Sequence, residues 1–150
     1  MIEIGKKAPD FMVKNQAGEQ RSLAYFAGKK LVIYFYPKDD TSGCTVEAKD
    51  FTQILPQFIA KGAHIVGVSR DSIASHCKFI AKHELALELL SDDEGAMCEA
   101  YGVWVEKSMY GKKYMGIERT TLLLDENGVV QQKWRKVQVK NHASAVLEVI

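Results

Sequence analysis

The stretch Leu31-Val32-Ile33-Tyr34-Phe35-Tyr36-Pro37-Lys38-Asp39-Asp40-Thr41-Ser42-Gly43-Cys44-Thr45-Val46-Glu47 changes character twice. Its first six residues are aliphatic or aromatic without a charged break, and Pro37 ends them, which reads as a buried strand. From Cys44 onward the apolar residues fall at helical spacing, with Val46, Ala48, Phe51, Ile54, Leu55 and Phe58 available for one broad face. Thr41, Ser42 and Gly43 are cap and turn residues between the two patterns. Cys44 therefore sits where a strand hands over, through a short polar loop, to a helix N-terminus.

That placement has chemical weight, because only the thiolate of a cysteine is a good nucleophile. A free thiol with a pKa of about 8.5 is only about 3% ionised at pH 7. A helix N-terminus favours the anion by roughly 0.3–1 kcal/mol, up to ~2 when partly buried, while each pKa unit is worth about 1.36. The helix end alone falls short, so a nearby fixed cation is expected from elsewhere in the chain. Arg119 is the candidate. It stands among the uncharged Gly116-Ile117 and Thr120-Thr121, immediately before the strand Thr120–Leu124. A guanidinium is permanently charged and forks onto two acceptors, so it can hold a thiolate and a polarised oxygen together. The plain alternative is a surface arginine at a strand start. For Cys44 the alternative is a buried apolar filler, which its polar loop argues against.

Working outward, 150 residues suit one domain, 1–150, large enough to bury a core. A hydrophobic fraction of 47%, a charged fraction of 26% and a net charge of +1 are those of an ordinary soluble protein, with no pull toward nucleic acid or a membrane surface. No stretch approaches the ~20 apolar residues of a membrane span, and the first residues lack a signal-peptide core. Three cysteines without framework spacing suggest a cytoplasmic chain with a working thiol. The scattered histidines form no ligand pair, so no metal is expected.

Residues 8–23 suggest a small β-hairpin, and 23–28 a helical turn ended by Gly28. The strand 31–36 and a helix from about 44 to 61 follow, with Pro56 expected to kink or divide the helix. His64–Ser69 reads as a second buried strand, 72–83 as a helix, 87–90 as an extended piece and 93–101 as a short helix. Thr120–Leu124 is a third strand, joined through Asp125-Glu126-Asn127-Gly128 to Val129–Lys133 as a hairpin. Asn141 is expected to cap a closing helix through Val149. Periodicity alone gives an α/β chain with a mixed sheet. Lys133, Arg135 and Lys136 read as a solvated basic cluster; Trp104, Tyr110 and Tyr114 as lining a shallow apolar surface near the site, or simply packing.

The segment Tyr36-Pro37-x-x-x-Thr41-x-x-Cys44, with Thr45 and Glu47 after it, resembles the active-site signature of peroxiredoxins, and within them the bacterioferritin-comigratory (PrxQ-like) group. Gly5–Phe11, Gly67–Ser72, Tyr101–Trp104 and Gly116–Thr121 are similar to other segments of that group, so the resemblance runs from about Gly5 to the C-terminus. It implies a thioredoxin-like fold: a mixed central β-sheet flanked by helices, with an N-terminal β-hairpin. It implies a thiol-dependent peroxidase that reduces hydrogen peroxide and organic hydroperoxides through a cysteine sulfenic acid. Thioredoxin or a similar dithiol would recycle it, with no cofactor and no metal, and the chain would be a monomer. Carried onto this sequence, Cys44 would be the peroxidatic residue, the Thr41 hydroxyl would bond the thiolate or the peroxide, Pro37 would shield the sulfur from water, and Glu47 would orient Arg119.

The second thiol departs from the commonest group pattern. Many relatives carry a resolving cysteine five residues after the first, where this chain has Lys49. Cys77, on the helix 72–83, is the first candidate; among Ile73, Ala74, Ile80 and Ala81 it also reads as an inert core thiol. Cys98 and an external thiol are the other choices. Two rival classes remain open. A thiol–disulfide oxidoreductase would want a C-x-x-C at the helix start, which Cys44 lacks. A non-catalytic redox-sensing thiol module would oxidise reversibly without turnover.

Overall fold

The apolar run around Ile33 lies in the middle of a seven-stranded sheet. In the computed structural model, which describes residues 2–150, the elements run β1 (Met12–Asn15), β2 (Gln20–Ser22), a 3-10 turn (Ala24–Phe26), β3 (Lys30–Phe35), α1 (Ser42–Ala60) and β4 (Ala63–Ser69). There follow α2 (Ile73–His83), β5 (Glu88–Ser91), α3 (Ala96–Ala100), β6 (Trp104–Met109) and β7 (Lys112–Ile117). The chain closes with β8 (Thr120–Leu124), β9 (Val130–Trp134) and α4 (His142–Glu148).

The sheet order is β2-β1-β5-β4-β3-β8-β9, with β3, β4 and β5 parallel and the other pairs antiparallel. A strand covered on both faces has no need of polar alternation, which is why β3 reads as a continuous apolar run. Its odd residues Leu31, Ile33 and Phe35 join one core cluster; Val32, Tyr34 and Tyr36 join the other. Phe51 and Phe58 of α1, Phe79 of α2 and Val146 of α4 cover the second face. Met97 and Cys98 of α3, with Phe11, Phe26, Tyr101 and Val103, cover the first. Each of these large apolar side chains contributes roughly 1.5–3 kcal/mol on burial.

The N-terminal hairpin, the mixed sheet and the closing hairpin agree with the sequence-based reading. Three local features differ from that reading, the first in that Pro56 does not divide its helix. α1 is one helix from Ser42 to Ala60 with Pro56 inside it. Pro56 is exposed and Thr52 half-buried, so the carbonyl that loses its N–H partner lies at the helix edge and not in the core. Asn141 occupies the N-cap position of α4, but at φ 61 its side chain makes no capping bond. The chain there enters the helix through a left-handed residue, which asparagine tolerates.

The third difference is a second sheet. β6 and β7 form a two-stranded ladder, Trp104↔Ile117 to Met109↔Lys112, that joins no strand of the main sheet. Its two-residue turn is Tyr110-Gly111, both left-handed at φ 52 and 79. Such a turn usually announces itself as Asn-Gly or Asp-Gly. A tyrosine in its place hides the hairpin from a sequence reader. Tyr110 is almost fully exposed at the tip of the hairpin, and Trp104 packs at the edge of the core under Arg70.

Gly67 in β4 faces the stacked rings of the second core cluster. A Cβ there would lie 2.7 Å from Tyr34 Cζ and 2.8 Å from Leu89 Cδ2. Tyr34 cannot swing aside, because it stacks on Phe51 at 4.8 Å and on Tyr36 at 5.5 Å. Gly67→Ala is therefore expected to lower the unfolding free energy by about 1–3 kcal/mol, measured by urea denaturation.

Candidate active site

Parallel β3 and β4 deliver their C-terminal ends to the same edge of the sheet, and the chain that leaves β3 turns there into α1. Pro37 and Lys38 are exposed, Asp39 is buried and Asp40 is exposed. Thr41 is the N-cap residue of α1, Gly43 is its second residue and Cys44 its third. Cys44 is 1% exposed, packed with Tyr34, Tyr36 and Ala48. Antiparallel β8 pairs with β3 so that Thr120 stands opposite Phe35. Arg119, one residue earlier, thus reaches the same edge from the far side of the chain.

The guanidinium of Arg119 is shared. Its Nη2 donates to Cys44 Sγ at 3.4 Å and its Nη1 donates to Glu47 Oε1 at 2.7 Å. Gly43 makes the approach feasible: a Cβ on it would stand 3.2 Å from Arg119 Nη2. Glu47 is one helical turn beyond Gly43, so α1 presents the thiol and the carboxylate to one cation. The half-buried guanidinium is drawn up from its ordinary value, the carboxylate and the thiol outweighing desolvation.

Glu47 is the less comfortable partner. Its side chain is 1% exposed, and its second oxygen, Oε2, meets no donor among the described residues. Burial pushes its carboxyl up to about 7, against the pull of Arg119. A carboxylate with one bridged oxygen and one bare one is incompletely compensated for leaving water, so burial prevails.

Thr41 is placed at the site in another way than expected. Its Oγ1 donates to the Lys38 carbonyl at 2.8 Å, makes no cap bond, and makes no bond to Cys44. The hydroxyl proton closes the Pro37–Thr41 turn, and the oxygen keeps lone pairs for an incoming donor. The Thr41 carbonyl in turn accepts from the Thr45 hydroxyl at 2.8 Å.

The other cysteines lie elsewhere. Cys77 is exposed, so the core-thiol alternative is excluded; its Sγ donates to the Gln16 carbonyl at 3.1 Å, at the turn after β1. With strands spaced about 4.8 Å, β1 is three places or about 14 Å from β3. The burying face of α2 carries His76 and Phe79 instead. Cys98 is fully buried on the opposite side of the sheet from Cys44, and burial and Asp92 push its thiol up.

Two residues near the site, Lys107 and His142, escaped the sequence reading. Lys107 on β6 runs its stem over Gly116, where a Cβ would meet Lys107 Cδ at 3.2 Å. Burial and Arg119 lower its ammonium, while Cys44 draws it up. His142 is buried, 2.8 Å from the Thr121 hydroxyl, and burial with Arg119 pushes it down to about 4. Arg135 is exposed, as the reading of a solvated basic cluster expects, and it also forks onto Glu118 at 3.0 and 3.1 Å. That fork anchors the residue before Arg119. Among the described residues no group of histidine, cysteine and acidic side chains has the makings of a metal site.

With this geometry in hand, known proteins are informative. The sequence profile of the AhpC/TSA family matches residues 4–133. The chain is 48% identical over 146 residues to the putative peroxiredoxin bcp of Coxiella burnetii, covering 97% of each. It is 49% identical over 149 residues to peroxiredoxin Bcp of Bacillus subtilis, covering 99% of this chain and 95% of that one. Among solved structures it superimposes on the Xanthomonas campestris bacterioferritin comigratory protein, described for its alkyl peroxide reduction activity, with a TM-score of 0.91 and 48% identity, covering 98% and 96%. A Xylella fastidiosa PrxQ mutant gives a TM-score of 0.94 at 36% identity, covering 99% and 95%.

The raised carboxyl of Glu47 has a consequence for stability. Its folded value lies above the ordinary carboxyl value, so the folded state holds the proton more tightly. Stability from this group is complete below about 4.5 and is lost as pH rises through about 7. Wild type should therefore gain about 2 kcal/mol relative to Glu47→Gln on going from pH 8 to pH 5.5, read from urea midpoints at the two values.

Proposed function

From the membership of this chain in the AhpC/TSA family, as a peroxiredoxin of the Bcp or PrxQ kind and hence a thiol-dependent peroxidase, we infer that Cys44 is the sulfur that attacks the peroxide and Arg119 the cation that serves it. The observation that carries this is the shared guanidinium, with Nη2 on Cys44 Sγ at 3.4 Å and Nη1 on Glu47 at 2.7 Å. Hydrogen peroxide and alkyl hydroperoxides are the substrates, in keeping with the alkyl peroxide activity described for the Xanthomonas relative.

The Cys44 thiolate attacks the terminal oxygen of the peroxide in line with the O–O bond. An S–O bond forms, the O–O bond breaks, and hydroxide or alkoxide leaves and takes up a proton as water or alcohol. Arg119 and the N–H groups of the first turn of α1 face the negative charge that moves from sulfur to oxygen. The Thr41 oxygen accepts from the peroxide hydroxyl, its own proton being engaged with Lys38. To Pro37, at the end of β3, we assign the shielding of the sulfur from water, and Glu47, bonded to Nη1, keeps the guanidinium from turning away.

The sulfenic acid formed on Cys44 condenses with a second thiol, releasing water and leaving a disulfide. Cys77 is the internal candidate, since it is exposed and Cys98 is enclosed behind the sheet. A disulfide needs Cα atoms within ~7 Å, so α2 must leave its place for the two to meet. Thioredoxin or a similar dithiol then restores both thiols. We place the protein in the cytoplasm, acting as a monomer; no helix among the described residues is long and apolar enough to cross a membrane.

Stopped-flow mixing with hydrogen peroxide tests the assignment. Cys44→Ser should lose all peroxide consumption, and Arg119→Met should slow the oxidation step by about a hundredfold or more. A wild-type rate no faster than that of free cysteine would reject the reading. Peptide mass spectrometry after one equivalent of peroxide should find Cys44 linked to Cys77, and Cys77→Ser should stop after one turnover with thioredoxin. Undiminished turnover in that variant assigns resolution to an external thiol.

A further inference from the structure

The polar loop ahead of Cys44 holds two adjacent acids, Asp39 and Asp40, that the chemistry above leaves unused. Both are bound by helix α2, and by different parts of it. Asp39 is buried: Oδ1 accepts from the Tyr36 hydroxyl at 2.6 Å, and Oδ2 accepts from the Ser75 hydroxyl at 2.8 Å and lies 2.7 Å from His76 Nδ1. The side chains of His76 and Asp39 are 0% and 3% exposed. The Asp39 N–H donates to Asp71 Oδ2 at 2.8 Å. Asp40 is exposed and left-handed at φ 60; its two oxygens take Lys82 Nζ and His83 Nε2, each at 2.7 Å. A turn only five residues long is thus held by side chains at both ends of α2 and by the loop that enters it.

The tautomer of His76 is fixed by its surroundings. Nε2 lies 2.9 Å from the Leu90 carbonyl, which can only accept, so Nε2 carries a hydrogen. A neutral ring of that form would turn the Nδ1 lone pair toward a carboxylate oxygen that has no hydrogen of its own to give. One proton must therefore lie between Nδ1 and Oδ2, and the contact is a charge-assisted hydrogen bond in a dry interior. Such a bond is directional, and leaving either partner alone in the core is costly.

We propose that Asp39 and His76, supported by Asp40, Lys82 and His83, are positioning residues for the reaction at Cys44. Through them α2 clamps the Pro37–Thr41 turn and so fixes where Thr41 and the N-terminus of α1 stand around the sulfur. This rests on the reading of Cys44 as the peroxide-reducing sulfur. None of the five touches the reacting atoms. Their contribution is to keep the pocket assembled, and the clamp must open before α2 can carry Cys77 toward Cys44.

The test compares four proteins in two measurements: the stopped-flow rate of Cys44 oxidation by hydrogen peroxide, and amide hydrogen exchange over residues 37–44 and 73–80. In Asp39→Asn the amide oxygen still accepts from Tyr36, and its N–H groups serve Ser75 and a neutral His76, so every bond survives without the shared proton. That variant should stay within about threefold of wild type. His76→Phe removes the contact and should slow oxidation about tenfold or more, because a small misplacement of reacting groups is expensive. Exchange should quicken in both segments together. The surface pair Lys82→Ala/His83→Ala, which leaves His76 and Asp39 in place, should slow oxidation by about two- to fivefold and quicken exchange at 39–44.

A His76→Phe rate within twofold of wild type overturns the proposal, as does an Asp39→Asn variant as slow as His76→Phe. Should His76→Phe not fold, the surface pair decides: unchanged oxidation and unchanged exchange overturn it. A wild-type Cys44 inert to peroxide overturns both the reading of the site and this proposal, whereas a reactive wild type with unaffected variants overturns the proposal alone.

Discussion

A single guanidinium divided between a sulfur and a buried carboxylate is the constraint on which this site depends. Arg119 reaches Cys44 only because β8 lies against β3, so that two segments 75 residues apart come together at one edge of the sheet. It stays there because Glu47 takes its other nitrogen. The sulfur alone would offer a weak acceptor to a cation that water solvates well. The carboxylate supplies the stronger bond, and the thiol receives the remaining donor already aimed. The cost is a carboxyl group held in the interior with one oxygen unpaired.

The sheet explains why the pieces converge. Parallel β3, β4 and β5 end at the same edge, and the loops that follow β3 and β4 both lie there. Ligand chemistry in open α/β sheets gathers at such edges for that reason. The loop after β4 carries Asp71 and leads into α2; the loop after β3 carries Asp39 to Thr41 and leads into α1. The two loops are bound to each other through the Asp39 N–H and the Asp71 carboxylate. The loops that lead into α1 and α2 are thus tied by polar bonds beside the reactive sulfur.

Much of this was legible in the amino-acid order. The run Leu31–Tyr36, the Pro37 stop and the helical spacing after Cys44 predict β3, α1 and the junction between them. An arginine immediately before an apolar strand start predicts a cation for the thiol. What escaped did so for identifiable reasons. The Thr41 hydroxyl looks the same in sequence whether it caps a helix, binds a ligand or closes its own turn. Cys77 looked enclosed because Ile73 and Ile80 flank it, yet the stripe that α2 buries runs through His76 and Phe79. A histidine in the interior does not show itself to hydropathy; only Asp39, 37 residues away, explains why it is there. The β6–β7 hairpin was lost to a tyrosine standing where asparagine is usual.

That hairpin has a mechanical property of its own. It shares no ladder bond with the main sheet and is rooted at Trp104 and Ile117, with Ile117 just two residues ahead of Arg119. It is a cantilever: its free tip, Tyr110-Gly111, stands in solvent, and its fixed end adjoins the guanidinium. Its base and the guanidinium thus belong to one short stretch of chain, and none of the main sheet's pairings lies between them.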